Sequence, residues 1–194
     1  MEKNMRTGKK RGVGAILVLL LLAVVTVFSV ACKPADSGND GQQDGGDPEN
    51  AFCLYADGSA STIFVDGQEH KQVIRAAEDL KDDIYAVSGG EVALEQTSVP
   101  KNAENAVIIG TVGDSALIET LIANGKFDEA ESIRGKWECY AIKVVEAPCE
   151  GVDRALVIAG SDKRGTIYGI YTISEKIGVS PLYWFADVTP EHKD

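Results

Sequence analysis

The sequence is short of histidine, the side chain most often used as a general acid or base near neutral pH. It contains only two, His70 and His192, and neither has the sequence context of a metal site or a catalytic triad. Acidic residues are numerous, with 30 Asp and Glu in all, but none stands out as a general acid. A run of acids typical of a solvated helix face comprises Glu78, Asp79, Asp82 and Asp83. We therefore expect no catalytic residue in this chain.

Cysteine is also scarce. If Cys32 is modified as argued below, Cys53, Cys139 and Cys149 remain, an odd number without the paired spacing of a zinc site. A disulfide between Cys139 and Cys149 and three free thiols are both open alternatives outside the cytoplasm. The sequence predicts no metal site and no cofactor.

Nucleotide-binding signatures are missing as well. The segment GSDKRGT at residues 160–166 is a glycine-bounded loop before a helix, but Thr166 stands where a phosphate-binding loop requires lysine. It also lacks the Gly-x-Gly of a dinucleotide-binding turn. A structural interpretation fits better, because Gly165 and Gly169 lie on one helix face and allow close approach to a sheet. The residues of this structural loop and helix start are Gly160, Asp162, Arg164, Gly165, Tyr168 and Gly169.

Basic residues are concentrated at the N-terminus. Residues 1–11 carry five basic side chains and one acid, a net charge of +4, whereas the whole chain has −11, which leaves −15 for residues 32–194. So acidic a body argues against nucleic acid as a partner, because phosphate binding requires clustered Lys and Arg.

The basic N-terminus precedes an uncharged apolar run from Val13 to Ala31, the pattern of an export signal. Its end, Ser29-Val30-Ala31-Cys32, resembles the lipobox of bacterial lipoproteins, in which the cysteine is acylated. We therefore predict a signal segment at residues 1–31, lipidation at Cys32 and an extracytoplasmic protein anchored to the bacterial cell membrane. The alternative is an uncleaved transmembrane anchor, since the run is long for a signal peptide.

Residues 32–50 lack aromatic and large aliphatic side chains after Cys32, which predicts a flexible tether. From residue 51 onward, strand-like and helix-like patterns alternate. Predicted strands cover residues 52–55, 62–65, 92–94, 106–109, 138–145 and 155–159, the first two forming a hairpin or neighbouring strands. Predicted helices cover residues 69–88, 114–125, 127–133 and 163–177, with Asp114 as an N-cap. The expected fold is α+β, a two-layer sandwich of a mixed sheet with helices on one face.

Aromatic residues cluster near the end of the sequence, in Tyr183, Trp184 and Phe185. Aromatic planes stack on sugar rings, and they also fill interfaces between domains. We favour the interface, because these side chains lie in the final segment of the sequence.

Three segments together resemble the N-terminal domain of glycoside hydrolase family 115. They are GKWE at 135–138, ALVIAGSDKRGTIYGIY at 155–171, and IGVSP at 177–181 with YWFADV at 183–188. The shorter Arg-Gly-x-x-Tyr-Gly-x-Tyr element also resembles the auxiliary domain that precedes the barrel in β-hexosaminidases and other α-glucuronidases.

The resemblance implies that residues 51–194 form a non-catalytic auxiliary domain of a xylan α-1,2-glucuronidase whose catalytic barrel is absent from this sequence. Its implied partners are that barrel, xylan-type polysaccharide and, through the N-terminus, the membrane. One alternative is a stand-alone surface lipoprotein that binds polysaccharide through Tyr183 and Trp184. Another is the remnant of a broken gene.

Overall fold

The computed structural model describes residues 52–56, 59–186 and 188–193, so the predicted signal segment, Cys32 and the tether lie outside the described residues. The strands are β1 Tyr55–Ala56, β2 Ser59–Ala60, β3 Thr62–Val65, β4 Leu94–Gln96, β5 Ala103–Thr111, β6 Tyr140–Cys149 and β7 Val152–Gly160. The helices are α1 Lys71–Ser88, α2 Ala116–Ala123, α3 Glu129–Ile133, α4 Lys163–Ile177 and α5 Tyr183–Ala186.

The main sheet has five strands in the order β4-β3-β5-β7-β6. Strands β3, β4, β5 and β7 are parallel, and β6 pairs antiparallel with β7 at one edge. The mixed sheet with its helices confirms the predicted α+β class. The apolar segment 155–159 lies inside the sheet as part of β7, buried on both sides.

The helices cover both faces of this sheet, which differs from the predicted arrangement on one face. Helices α1 and α4 pack on the side of Ile63, Val107 and Ile158. Helices α2 and α3 pack on the opposite side, which carries Phe64 and Val157. The reason is visible in the strands, which are apolar at successive positions and so expose an apolar surface on each face unless both are covered.

The first apolar segments do not form the predicted hairpin of residues 52–55 with 62–65. Instead, the short β1 pairs antiparallel with β2, and β3 lies between β4 and β5 in the main sheet. Ile63, Phe64 and Val65 are all buried, so β3 gains more burial between two strands than in an edge hairpin.

Helix α4 has the predicted bounds, residues 163–177, and ends at Gly178, whose φ is 109°. Helix α1 ends at Gly89 with φ 70°, as the glycine pair at 89–90 predicts. The N-cap predicted for the second helix differs. Ser115, not Asp114, occupies that position, and the carboxylate of Asp66 accepts the N–H of Ala116 at 2.8 Å.

The disulfide considered between Cys139 and Cys149 is not formed, because Cys149 is a free thiol, as is Cys53. Cys139 directly precedes β6, and Cys149 is the last residue of that strand. An extended strand rises about 3.3 Å per residue, so their Cα atoms lie roughly 30 Å apart, too far for a disulfide.

Candidate functional site

Two buried carboxylates lie near the carboxyl ends of the parallel strands. Asp66 directly follows β3, and its two oxygens accept the backbone N–H groups of Gln68 and Ala116. Glu69 accepts the N–H of His70 at 2.9 Å and that of Thr111 at 2.7 Å. These bonds satisfy backbone donors at the edge of the sheet, so both carboxylates have a structural role.

The start of α4 lies in close contact with β7 and with the entry to β6. A Cβ atom at Gly165 would lie 2.1 Å from the carbonyl oxygen of Cys139, and one at Gly160 would lie 2.0 Å from the nitrogen of Thr166. At Gly169 the added atom would lie 2.8 Å from Ile158. No larger residue fits at Gly160 or Gly165 without a backbone shift, so the glycines fix the position of α4 on the sheet.

Asp162 caps α4 and also holds the chain before β6. Its Oδ1 accepts the N–H groups of Arg164 at 2.9 Å and Gly165 at 2.8 Å. Its Oδ2 accepts the N–H of Glu138 at 2.9 Å. Burial alone would raise the pKa of Asp162, but these three N–H groups and the charge of Arg164 outweigh it, so the pKa lies below its ordinary value.

An ordered polar network surrounds an exposed tryptophan beside this cap. The indole Nε1 of Trp137 donates to Oε1 of Glu138 at 2.6 Å. Arg164 forms an ion pair with Glu138 at 2.8 Å and donates to the hydroxyl of Tyr168 at 2.7 Å. The guanidinium carbon also lies 5.8 Å from the centre of the Tyr168 ring. We call Trp137, Glu138, Arg164 and Tyr168 the Trp137 surface.

A groove of about 460 Å³ lies between α1, α4 and the segment that follows α4. In it, Asp79 forms an ion pair with Arg75 at 2.9 Å and accepts the hydroxyl of Tyr171 at 2.9 Å. Burial, with the bond to Asp79, raises the pKa of Tyr171 to about 12. Burial also raises the pKa of Asp83, and the charges of Asp79 and Asp82 add to that rise. The acids predicted as a solvated helix face thus partly line a groove.

The aromatic segment at the end of the chain borders this groove. Tyr183 lines it, while Phe185 is 89% exposed and Leu182 is 57% exposed. The side chain of Trp184 lies outside the described positions. The segment therefore offers an apolar patch, Leu182 and Phe185, at the mouth of an acidic groove.

No protein-family model matches the sequence, and no curated protein matches it. A solved structure does match, with a TM-score of 0.54 and 31% sequence identity over 69% of this chain. That protein is described as a novel family GH115 4-O-methyl-α-glucuronidase, BtGH115A, with specificity for decorated arabinogalactans. The fold is related to that of a GH115 enzyme. This chain spans 15% of the length of that GH115 protein.

Within this GH115-related fold, the predicted loop and helix-start residues lie together at the start of α4. They comprise Gly160, Asp162, Arg164, Gly165, Tyr168 and Gly169. Trp137 and Glu138 join them, although the sequence indicates these two only as part of the segment that resembles glycoside hydrolase family 115. The contact of these two residues with α4 depends on tertiary packing, so the residue pattern alone does not predict it. Tyr183 and Phe185 lie apart from this group, near the groove.

Two further features concern the described part of the chain. It contains no helix that is long and apolar enough to cross a bilayer. Between residues 52 and 193, with the gaps given above, no three His, Cys, Asp or Glu side chains are grouped to hold a metal ion.

Proposed function

We propose that this chain is a non-catalytic auxiliary part of an exported α-glucuronidase-like glycoside hydrolase that acts on a plant cell-wall polysaccharide. The observation that carries the proposal is the match to the GH115 4-O-methyl-α-glucuronidase. At 31% identity the likeness extends beyond fold alone, and the matched region is a small share of that protein. In that protein, most of the chain lies outside the part that this chain resembles.

A supporting role agrees with the bonds of the buried acids. Glycoside hydrolysis generally uses two carboxyl groups on opposite sides of the scissile bond. Asp66 and Glu69 instead accept backbone N–H groups. Asp79 and Asp83 both belong to α1 and are four residues apart, so they lie side by side on one helix face rather than facing each other.

The partner in this proposal is the catalytic barrel of the same enzyme, docked over the patch formed by Leu182 and Phe185. Exposing a phenylalanine to the extent of 89% is unfavourable in water. Covering it with an apolar surface removes that cost, and the neighbouring groove offers Tyr183 and Tyr171 as amphipathic contacts. The charged residues on the groove wall, Arg75 and Asp79, then lie at the rim.

Export and lipid anchoring at Cys32 belong to the same proposal, because a tether behind an acylated cysteine would let the enzyme reach polymeric material. The substrate is proposed as a polysaccharide that bears glucuronic acid or its 4-O-methyl form. Xylan follows from the sequence resemblance, and decorated arabinogalactan is the specificity described for the solved relative.

Two measurements test the proposal. The full chain, incubated with glucuronoxylan or with decorated arabinogalactan, is expected to release no uronic acid, since among the described residues Asp66 and Glu69 bond to the backbone and Asp79 and Asp83 lie on one helix face. Release by the purified chain would contradict a non-catalytic role. Reading the DNA beyond the Asp194 codon is expected to show an in-frame barrel, and an immediate stop codon followed by unrelated sequence would count against the enzyme assignment.

A further inference from the structure

Trp137 is exposed to a degree that its role in the fold does not explain. Its side chain is 80% exposed, although tryptophan is among the side chains that gain most from burial. Yet its indole N–H donates to Glu138 at 2.6 Å. The structure thus presents a large aromatic face to solvent and fixes its edge.

The support for this indole extends to the first turn of α4. Glu138 has a φ of 54°, an uncommon value for a residue other than glycine. The carboxylate of Asp162 stabilises this conformation by accepting the Glu138 N–H, and Arg164 holds the Glu138 side chain by an ion pair. Asn102 and Ala147 also have positive φ values, so the strain alone marks no site, but at Glu138 it sets the backbone next to Trp137. A pre-ordered side chain also loses less conformational entropy when a ligand binds.

The chemistry of the Trp137 surface fits a sugar ring. One face of a pyranose carries C–H bonds with weak positive charge, which pack on the negative face of an aromatic ring. Its hydroxyl groups need hydrogen-bond partners at the rim, and Glu138 and the Tyr168 hydroxyl lie there. Arg164 is already paired with Glu138 at 2.8 Å. An anionic sugar would compete with that ion pair, whereas an uncharged ring would not.

A protein partner fits this surface less well than it fits the patch of Leu182 and Phe185. Tryptophan, tyrosine and arginine are common at protein interfaces, but charged residues, glutamate among them, are depleted at interface cores. Trp137 is bonded directly to the carboxylate of Glu138, which pairs with Arg164. Arg164 and Glu175, which lines the groove, are eleven residues apart in α4. At 1.5 Å per residue that is roughly 16 Å along the helix. Tyr168 and the groove residue Tyr171 are only three residues apart, so the Trp137 surface adjoins the groove at Tyr168 and extends away from it at Arg164.

We propose that Trp137, Glu138, Arg164 and Tyr168 form a binding surface for an uncharged sugar ring in the backbone of a polysaccharide. The ligand class rests on the proposed function. The surface holds the polymer near the enzyme and does not read the glucuronic acid branch.

The test is an NMR titration of the full chain, in detergent solution because of its apolar N-terminal run. The sequence has two tryptophans, so Trp184→Phe assigns the indole N–H signal of Trp137. Xylohexaose, a galacto-oligosaccharide, and each of these with one glucuronic acid branch serve as probes. We expect at least one neutral probe to shift the Trp137 signal with a Kd of about 1 mM, and its acidic counterpart to bind no more tightly.

Variants show whether the sugar stacks on the Trp137 ring or binds elsewhere on the protein. Trp137→Ala is expected to weaken binding at least about tenfold, Trp137→Phe to have an intermediate effect, and Phe185→Ala, the matched control at the other patch, to have none. An unchanged Trp137 signal at about 10 mM of every probe would overturn the proposal. Tenfold tighter binding of the acidic probes would also overturn it. A Trp137 chemical shift that changes with protein concentration in the absence of sugar would overturn it as well, because it would indicate self-association. None of these results changes the uronic acid assay or the DNA reading, so failure here is distinct from failure of the proposed function.

Discussion

The carboxylate of Asp162 accepts the backbone N–H of Glu138 at 2.9 Å and so joins the start of α4 to the chain that enters β6. The two residues are 24 positions apart in sequence. Because Asp162 also caps α4, one side chain sets both the helix start and the backbone conformation beneath Trp137.

Replacing Asp162 with alanine is expected to lower the free energy of unfolding by about 1–2 kcal/mol, the usual cost of losing a helix N-cap. Because the hydrogen bond to Glu138 is lost as well, we expect a value at the upper end of this range. Urea denaturation measures it. Asp128→Ala is the matched control, because Asp128 stands at the N-cap of α3 without a side-chain cap bond. Equal effects of the two substitutions would contradict this role.

Gly165→Ala is expected to destabilise the fold by roughly 1–3 kcal/mol, although alanine favours helices more than glycine does. The added Cβ would lie 2.1 Å from the carbonyl oxygen of Cys139, which is backbone and cannot rotate away. Thermal unfolding measures the change. Gly67→Ala, where the nearest atoms lie at 3.9 Å, is expected to be close to neutral. A neutral Gly165→Ala variant would show that α4 is not held by this contact.

Glu69→Ala is expected to cost about 1–3 kcal/mol, because it leaves the buried N–H of Thr111 without its acceptor. Denaturant unfolding gives the value, and Glu95→Ala, at an exposed position of the edge strand β4, is the control. The result bears on function as well as stability. If Glu69→Ala were fully stable, the carboxylate would no longer have a structural explanation.

Tyr171 is expected to ionise late. Burial, aided by the bond to Asp79, raises its pKa from 10.0 to about 12, so the folded state keeps the phenol proton longer than the unfolded chain does. Stability from this group is complete below pH 10 and decreases as the pH rises from 10 toward 12. The difference in near-ultraviolet phenolate absorbance between the wild type and Tyr171→Phe should have its midpoint near the upper value. A midpoint near 10 would show that the groove does not shield this phenol.

Much of the fold was predictable from local pattern. Helix α4 is predicted with its observed bounds from the helical spacing of Ile167, Ile170, Ile173 and Ile177 and from Gly178 after them. Both signals are local, because the apolar spacing and the left-handed C-cap belong to the helix itself. The continuous apolar run 155–159 likewise predicts a strand at the centre of the sheet, and in the structure β7 is an inner strand, next to the central β5.

Other features depend on partners distant in sequence. The pairing of β3 with β4 and β5 and the cover on the second face of the sheet are set by tertiary packing. Asp66 stabilises the start of α2 from 50 positions away, a contact that no local motif encodes. For the same reason the sequence predicts the glycine-rich start of α4 but not its bonds to Glu138.

We propose that this chain supports a glucuronidase barrel. The most direct measurement is to precipitate the protein from its source cells with an antibody against residues 52–193, then to determine which polypeptides carry it and whether they release uronic acid from glucuronoxylan or decorated arabinogalactan. We expect recovery with a barrel, in one chain or in tight association, and uronic acid release. Recovery of the chain alone, at its own mass of 20.7 kDa or less and without activity, would contradict it.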